Sequence, residues 1–194
     1  MSEHEALIRR VLDGNYLPLV LLHLTIDEDP GATATTVNVK VKEGEATIDV
    51  EGTGVGVVDA LYNGLLARYA REYQSLKTIQ IVGFHLAADM NSKKRHDGVD
   101  AVGKVTLDVT NSEGRHFAFT DASRSVTTSS VRAVLSCVEY FVNAERAFLT
   151  RYNARRDAAS RGREDLVSRY TAELAEVVEA TSYAEVIANL RKQL

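Results

Sequence analysis

Between Leu19 and Phe148 the chain runs through one pattern twice: strand, loop, hairpin, turn with capping residues, helix. In the first copy a strand from about Leu19 to Ile26 leads through a turn-rich stretch at Pro30-Gly31. Val37, Val39 and Val41 then alternate with Asn38, Lys40 and Lys42. Glu43-Gly44 turns the chain, and Ala46, Ile48 and Val50 bring it back as a hairpin with one buried face. The second copy opens on Ile79 and Ile81, with Gly83 and His85 continuing the strand. After a long polar loop from Asp89 to Asp100 it repeats the hairpin, with Val105, Leu107 and Val109 against Phe117 and Phe119. A helix closes each copy: about Val57 to Tyr73 in the first, and the stripe Val131, Val134, Leu135, Val138, Phe141 and Val142 in the second. A duplication on this scale restricts the fold more than any single motif does.

Each copy predicts a three-stranded antiparallel sheet with one helix to cover it. The two units therefore pack into one α+β body, and leftover amphipathic surface favours a dimer. The fold class is α+β: two pseudo-repeated units, each a three-stranded antiparallel sheet plus a helix, with an added helical C-terminal tail. The division is 1–16 for an N-terminal helix, 17–150 for the duplicated domain and 151–194 for the helical extension. Leu7, Ile8, Val11 and Leu12 share one face of that first helix, and Gly14 ends it. The apolar run Leu17 to Leu24 is broken by Pro18 and His23, is too short to span a bilayer, and reads as a strand buried on both faces.

The junction between hairpin and helix in the first copy, Glu51 to Leu66, carries Gly52, Gly54 and Gly56. Glycines there permit positive φ and close approach of another group to the main chain, while the first N–H groups of the helix point outward. The alternative is a tight strand-to-helix turn that binds nothing. Asp59 sits in the first turn of the helix, where its charge suits the positive end of the dipole and an oxygen can accept from a ligand amine. Asp121, followed by Ser123 and Ser125, holds the comparable place in the second copy. A ligand with a carboxylate, an ammonium and an apolar side chain finds matching groups near these two turns.

Among 194 residues, 45% are hydrophobic, and 23 basic against 27 acidic residues give a net charge of −4. That balance supplies no general attraction to nucleic acid or to anionic membranes. The start MSEHEALIRR is too charged for a secretory signal, so the expected location is the cytoplasm. The single cysteine, Cys137, excludes an internal disulfide and falls among apolar helix positions as a buried thiol. His4, His23, His85, His96 and His116 lack metal-ligand spacing, so neither a metal nor a cofactor is expected. His23, His85 and His116 on strands read as hydrogen-bonded structural residues. No nucleophile elbow, phosphate loop or dinucleotide fingerprint is present. The arginines from Arg146 to Arg163 read as a solvated helix face and linker. Beyond them, Leu166, Val167, Tyr170, Leu174 and Val177 mark one helix, and Ser182 with Glu185 caps a last one carrying Tyr183, Val186, Ile187 and Leu190.

GTGVGVVDALYNGL resembles the G-x-G-P-V-D-A-L turn and helix in the C-terminal regulatory, or allosteric dimerisation, domain of the α-isopropylmalate synthase and citramalate synthase family. EYQSLKTIQIVGFHLAAD is similar to the link that follows in that family, and TDASRSVTTSSVRAVLSCVEYFVNA to its second turn and helix. The match covers about Thr35 to Asn143. Gly54, Gly56, Val58, Asp59, Ala60 and Leu61 fit the first turn, with Val57 where the family usually has proline. Ser123, Ser130, Ala133, Ser136, Glu139 and Tyr140 fit the second, with Ser125 where asparagine or aspartate is common. These departures bear on ligand binding more than on fold.

The resemblance implies a two-fold homodimer that binds an end-product amino acid of the leucine or isoleucine class at its interface, in feedback control of leucine biosynthesis. The ligand-binding residues it implies are Gly54, Gly56, Val57, Val58, Asp59, Ala60, Asp121, Ser123 and Ser125. Nothing in the sequence corresponds to the synthases' catalytic barrel with its metal-binding motif, so the chain is expected not to be an enzyme. It is expected to be either a free-standing relative of the regulatory domain or an excised piece, and starting at Met1 with its own helix it reads as the former. The alternative is a ligand-free dimerisation scaffold that pairs with a separate acyl-CoA condensing enzyme.

Overall fold

The computed structural model describes residues 3–88 and 102–179. The long polar loop with His96 and the final helix predicted from the Ser182 capping box lie outside the described residues. After helix α1 (Glu3–Leu12), β1 (Leu19–Asp29), β2 (Ala34–Glu43) and β3 (Ala46–Gly54) form one antiparallel meander, closed by α2 (Val57–Tyr69). The second unit repeats it with β4 (Gln80–Ala88), β5 (Gly103–Thr110), β6 (His116–Ser123) and α3 (Val126–Ser160); α4 (Glu164–Glu179) ends the described chain. The expected α+β duplication is the observed architecture.

Register shows how closely the units correspond. Val39 lies opposite Leu24 on one side and Val50 on the other, and Leu107 holds the same place between Phe84 and Phe119. Each first strand carries a bulge at the matching residue, Leu22 in β1 and Val82 in β4. A bulge shifts the side-chain phase by one residue. In β4 it swings Phe84 onto the face of Ile81, rather than Gly83 and His85 as simple alternation predicts. His85 turns outward to Asp108, 3.0 Å away. The expectation that the Leu17 to Leu24 run is buried on both faces fails for a related reason. β1 is an edge strand with only its inner face covered, leaving Val20 49% and Leu22 52% exposed.

One core serves both units. Val37, Val39 and Val41 of β2, Val105, Leu107 and Val109 of β5, and the buried faces of α2 and α3 belong to a single cluster. α2 stops at Tyr69, one turn earlier than the periodicity suggests, and a 3-10 turn at Gln74–Thr78 leads to β4. Glu145 of α3 fixes that turn: its carboxylate accepts from the Gln74 and Ser75 N–H groups (3.2 and 3.0 Å) and from the Ser75 hydroxyl (2.6 Å). The link before β1 is fixed in the same manner. Asn143 bonds both the N–H and the carbonyl of Leu17, and Glu139 accepts from the Leu19 N–H and the Tyr16 hydroxyl. Connectors of both units are thus held by one helix through buried or half-buried polar groups that leave few donors unmet.

α1 buries Leu7, Ile8, Val11 and Leu12 against Ala144, Ala147 and Phe148 of α3 and Val177 of α4. The arginine-rich stretch is not a linker. α3 crosses it unbroken to Ser160, and its arginines reach α4: Arg151 pairs with Glu173, and Arg155 donates to Thr171. No helix among the described residues is long and apolar enough to cross a membrane.

Candidate functional site

A cleft of about 570 Å³ opens where the two helices begin. Val55, Gly56, Val57, Val58 and Asp59 form one wall, Val126, Thr127 and Ser130 the facing one, and Ile81 and Phe84 of β4 complete it. Its size is that of a small-molecule pocket, and its lining is mostly apolar with few polar groups. Asp59 is the only charged side chain among those lining residues.

The glycines build the first wall in a different way from that expected. Gly52 and Gly54 do not take positive φ; the left-handed glycines among the described residues are Gly44, Gly114 and Gly162. Gly52 and Gly54 lie in β3, where any Cβ would run into the Ala60 backbone of α2 or the Asp59 carboxylate. Gly64, on the helix side, is held against β3 as tightly: a Cβ there would come within 2.6 Å of the Glu51 carbonyl oxygen. What approaches the glycine backbone is therefore the chain's own helix. Gly56 differs, with extended φ and ψ (−172° and 172°) and no atom within 4 Å of where its Cβ would be.

The two helix starts are chemically unlike. Gly56 caps α2 with its carbonyl alone, accepting from the Ala60 N–H at 2.8 Å, and no side chain caps the first turn. The other first-turn N–H groups of α2 lack an intrahelical acceptor, as at any helix start, and concentrate positive potential beside the cleft. Asp59 folds back and accepts from the Val55 N–H at 3.0 Å, which fixes the loop and keeps the carboxylate beside the cleft. In α3, by contrast, Ser125 accepts from the Thr128 N–H, and Ser123 bonds the Ser125 backbone and the Ser129 hydroxyl. One N–H of that helix start thus has a side-chain acceptor, where the α2 start has none.

Of the residues singled out from sequence, Gly56, Val57, Val58 and Asp59 line the cleft. Gly54 and the fully buried Ala60 stand behind its wall as the strand-to-helix contact. Ser123 and Ser125 form the α3 cap, and Asp121 faces a separate, narrower slot beside β1. Ile81, Phe84, Val126 and Thr127 were missed. Phe84 carried an apolar signal, but only the bulge at Val82 puts it on the cleft side.

Residues 2–142 match the family model described as the LeuA allosteric (dimerisation) domain. No curated protein matches the chain.

Proposed function

The chain belongs to the LeuA allosteric (dimerisation) domain family, and on that premise we propose that it is a cytoplasmic, homodimeric sensor of a branched-chain amino acid. The part matched is a regulatory, dimerisation-type module rather than a catalytic one. The observation that carries the ligand is the pairing of an uncapped helix start with an apolar cleft whose lining has one carboxylate. The amino acid's carboxylate accepts from the first-turn N–H groups of α2, and its ammonium donates to Asp59. Its side chain lies among Val57, Val58, Ile81, Phe84 and Val126. A longer polar side chain such as that of lysine would leave its charge against apolar surface.

Phe84 (43% exposed), Leu86, Val102 and Val126 continue the cleft outward as exposed apolar surface, which supports a second copy covering this side. Titration calorimetry of the full chain with leucine, isoleucine, valine and lysine tests the reading. Saturable heat with leucine or isoleucine, lost in Asp59→Asn, is the expected result; no heat at millimolar ligand would sink it. The second reading, a scaffold serving a separate condensing enzyme, draws on one observation: Asp59 already has a partner in the Val55 N–H. Co-purification with such an enzyme, together with a blank calorimetric screen, would favour it.

A further inference from the structure

We propose that the groove along the free edge of β6 binds an extended peptide by strand addition, at a site independent of the amino-acid cleft. The groove, about 730 Å³, lies between α1, β6 and α3. Its lining includes five consecutive residues of β6, from His116 to Thr120. Neighbouring residues of a strand point to opposite faces, so a cavity that touches every one of them runs along the edge, where the backbone N–H and C=O groups are. Among the described residues β6 is hydrogen-bonded to β5 alone, so within them this edge has no strand partner.

A second space of about 230 Å³ touches Leu19, Val20 and Leu21 of β1, again consecutive, together with Asp121 of β6. Among the described residues β1 pairs only with β2, so within them its outer edge is free as well. Ser136 of α3 borders both spaces. The two sheets thus present their edges to two neighbouring spaces that share Ser136 of α3, and an extended segment lying along them would gain backbone partners.

Side chains state what kind of segment fits. Phe117, Phe119 and Tyr140, with ring centroids 5.6–5.8 Å apart, offer an aromatic floor in the larger space for an apolar side chain. In the smaller space the Oδ2 of Asp121 is buried and has no hydrogen-bond partner. Arg132 borders that space without forming an ion pair with Asp121. A carboxylate oxygen shut off from water calls for a donor, and a lysine or arginine side chain of the bound segment supplies it. The occupant is an extended peptide of about five residues at roughly 3.3 Å each, apolar in the middle and basic at the end toward Asp121. Backbone bonds give the affinity and alternate side chains the selectivity.

The probe is a synthetic six-residue peptide, blocked at both ends, alternating valine and threonine with one terminal lysine; a second version carries glutamate in place of the lysine. Binding to the full chain is read by calorimetry, and protection of the β6 amides by hydrogen exchange. The expected result is binding of the lysine peptide with new protection at 116–120, weakened about tenfold or more by the glutamate peptide or by Asp121→Asn. Ser136→Trp, at an exposed position on the groove floor, should abolish binding without unfolding the chain. Absence of binding at millimolar peptide, binding indifferent to Ser136→Trp, or binding without β6 protection would each overturn the proposal. Self-association that is lost in Ser136→Trp while the peptide does not bind would overturn it too, giving the groove to a second copy.

Discussion

The two units share strand order, register and bulge position, yet differ where each helix meets its third strand. In the first unit Gly52 and Gly54 of β3 and Gly64 of α2 let helix and strand touch backbone to backbone. By register the same places in the second unit are Asp121, Ser123 and Ala133, and there α3 stands beside a slot that opens to the β6 edge. The helix starts differ as well: no side chain caps α2, whereas Ser125 accepts from the Thr128 N–H of α3. A duplicated scaffold thus keeps its packing pattern while a few side chains decide which copy has chemistry to offer. The first copy leaves helix N–H donors beside an apolar cleft, and the second leaves a slot beside its third strand.

The largest effect should come from moving the difference from one unit to the other. Gly52→Asp forces a side chain into the Ala60 backbone and should cost about 3 kcal/mol or more. The reverse change, Asp121→Gly, should stay within about 1 kcal/mol, since the glycine's entropy cost is set against loss of a buried, unpartnered oxygen. Urea denaturation of both variants checks the asymmetry; equal losses would remove the distinction between tight and open units. Next in size is Glu145→Ala, which strips three donors of the inter-unit turn of their acceptor and should destabilise by about 2–4 kcal/mol.

A smaller, more diagnostic pair concerns the caps. Ser125→Ala should lower stability by about 1 kcal/mol. Gly56→Ser gives α2 the cap that α3 already has; the site is open and its backbone extended, so any residue fits. That variant should be slightly more stable, by a few tenths of a kcal/mol, and bind the amino acid less tightly, because the new hydroxyl competes for the same N–H groups. Unchanged affinity would break the assignment of the α2 start as the carboxylate site.

The electrostatic effects are absent at neutral pH and appear only in alkali. Burial, chiefly, raises the pKa of Tyr62 and Tyr140, and burial followed by a hydrogen bond to Glu139 raises that of Tyr16. The folded chain therefore holds these protons more firmly than the unfolded one. Stability is untouched below the ordinary tyrosine range and falls as pH rises above about 10. Thermal melts across pH 8–11 should show that decline. Burial likewise raises the Cys137 thiol, which should resist thiol reagents until the chain unfolds.

Much of this was legible in the residues. Alternation of Val37, Val39 and Val41, and of Val105, Leu107 and Val109, marked the central strands because a half-buried strand must alternate. The glycines around residue 54 marked a special junction, though not its nature: a glycine permits both a left-handed turn and a close approach, and only the position of α2 selects the second. Bulges at Leu22 and Val82 were invisible, since a one-residue insertion in an apolar run leaves composition and pattern almost unchanged. The cleft wall at Phe84 was lost with them.

The sequence by itself determined the duplicated order of elements, the facing sides of the central strands β2 and β5 and the single buried thiol, because these follow from local periodicity and composition. Tertiary structure alone decided which copy brings its helix backbone to backbone against its third strand and which leaves a slot there. It also decided that Glu139, Asn143 and Glu145 clamp the connectors of both units. Those outcomes depend on groups far apart in the chain reaching hydrogen-bond or van der Waals distance, and no local pattern encodes such a distance.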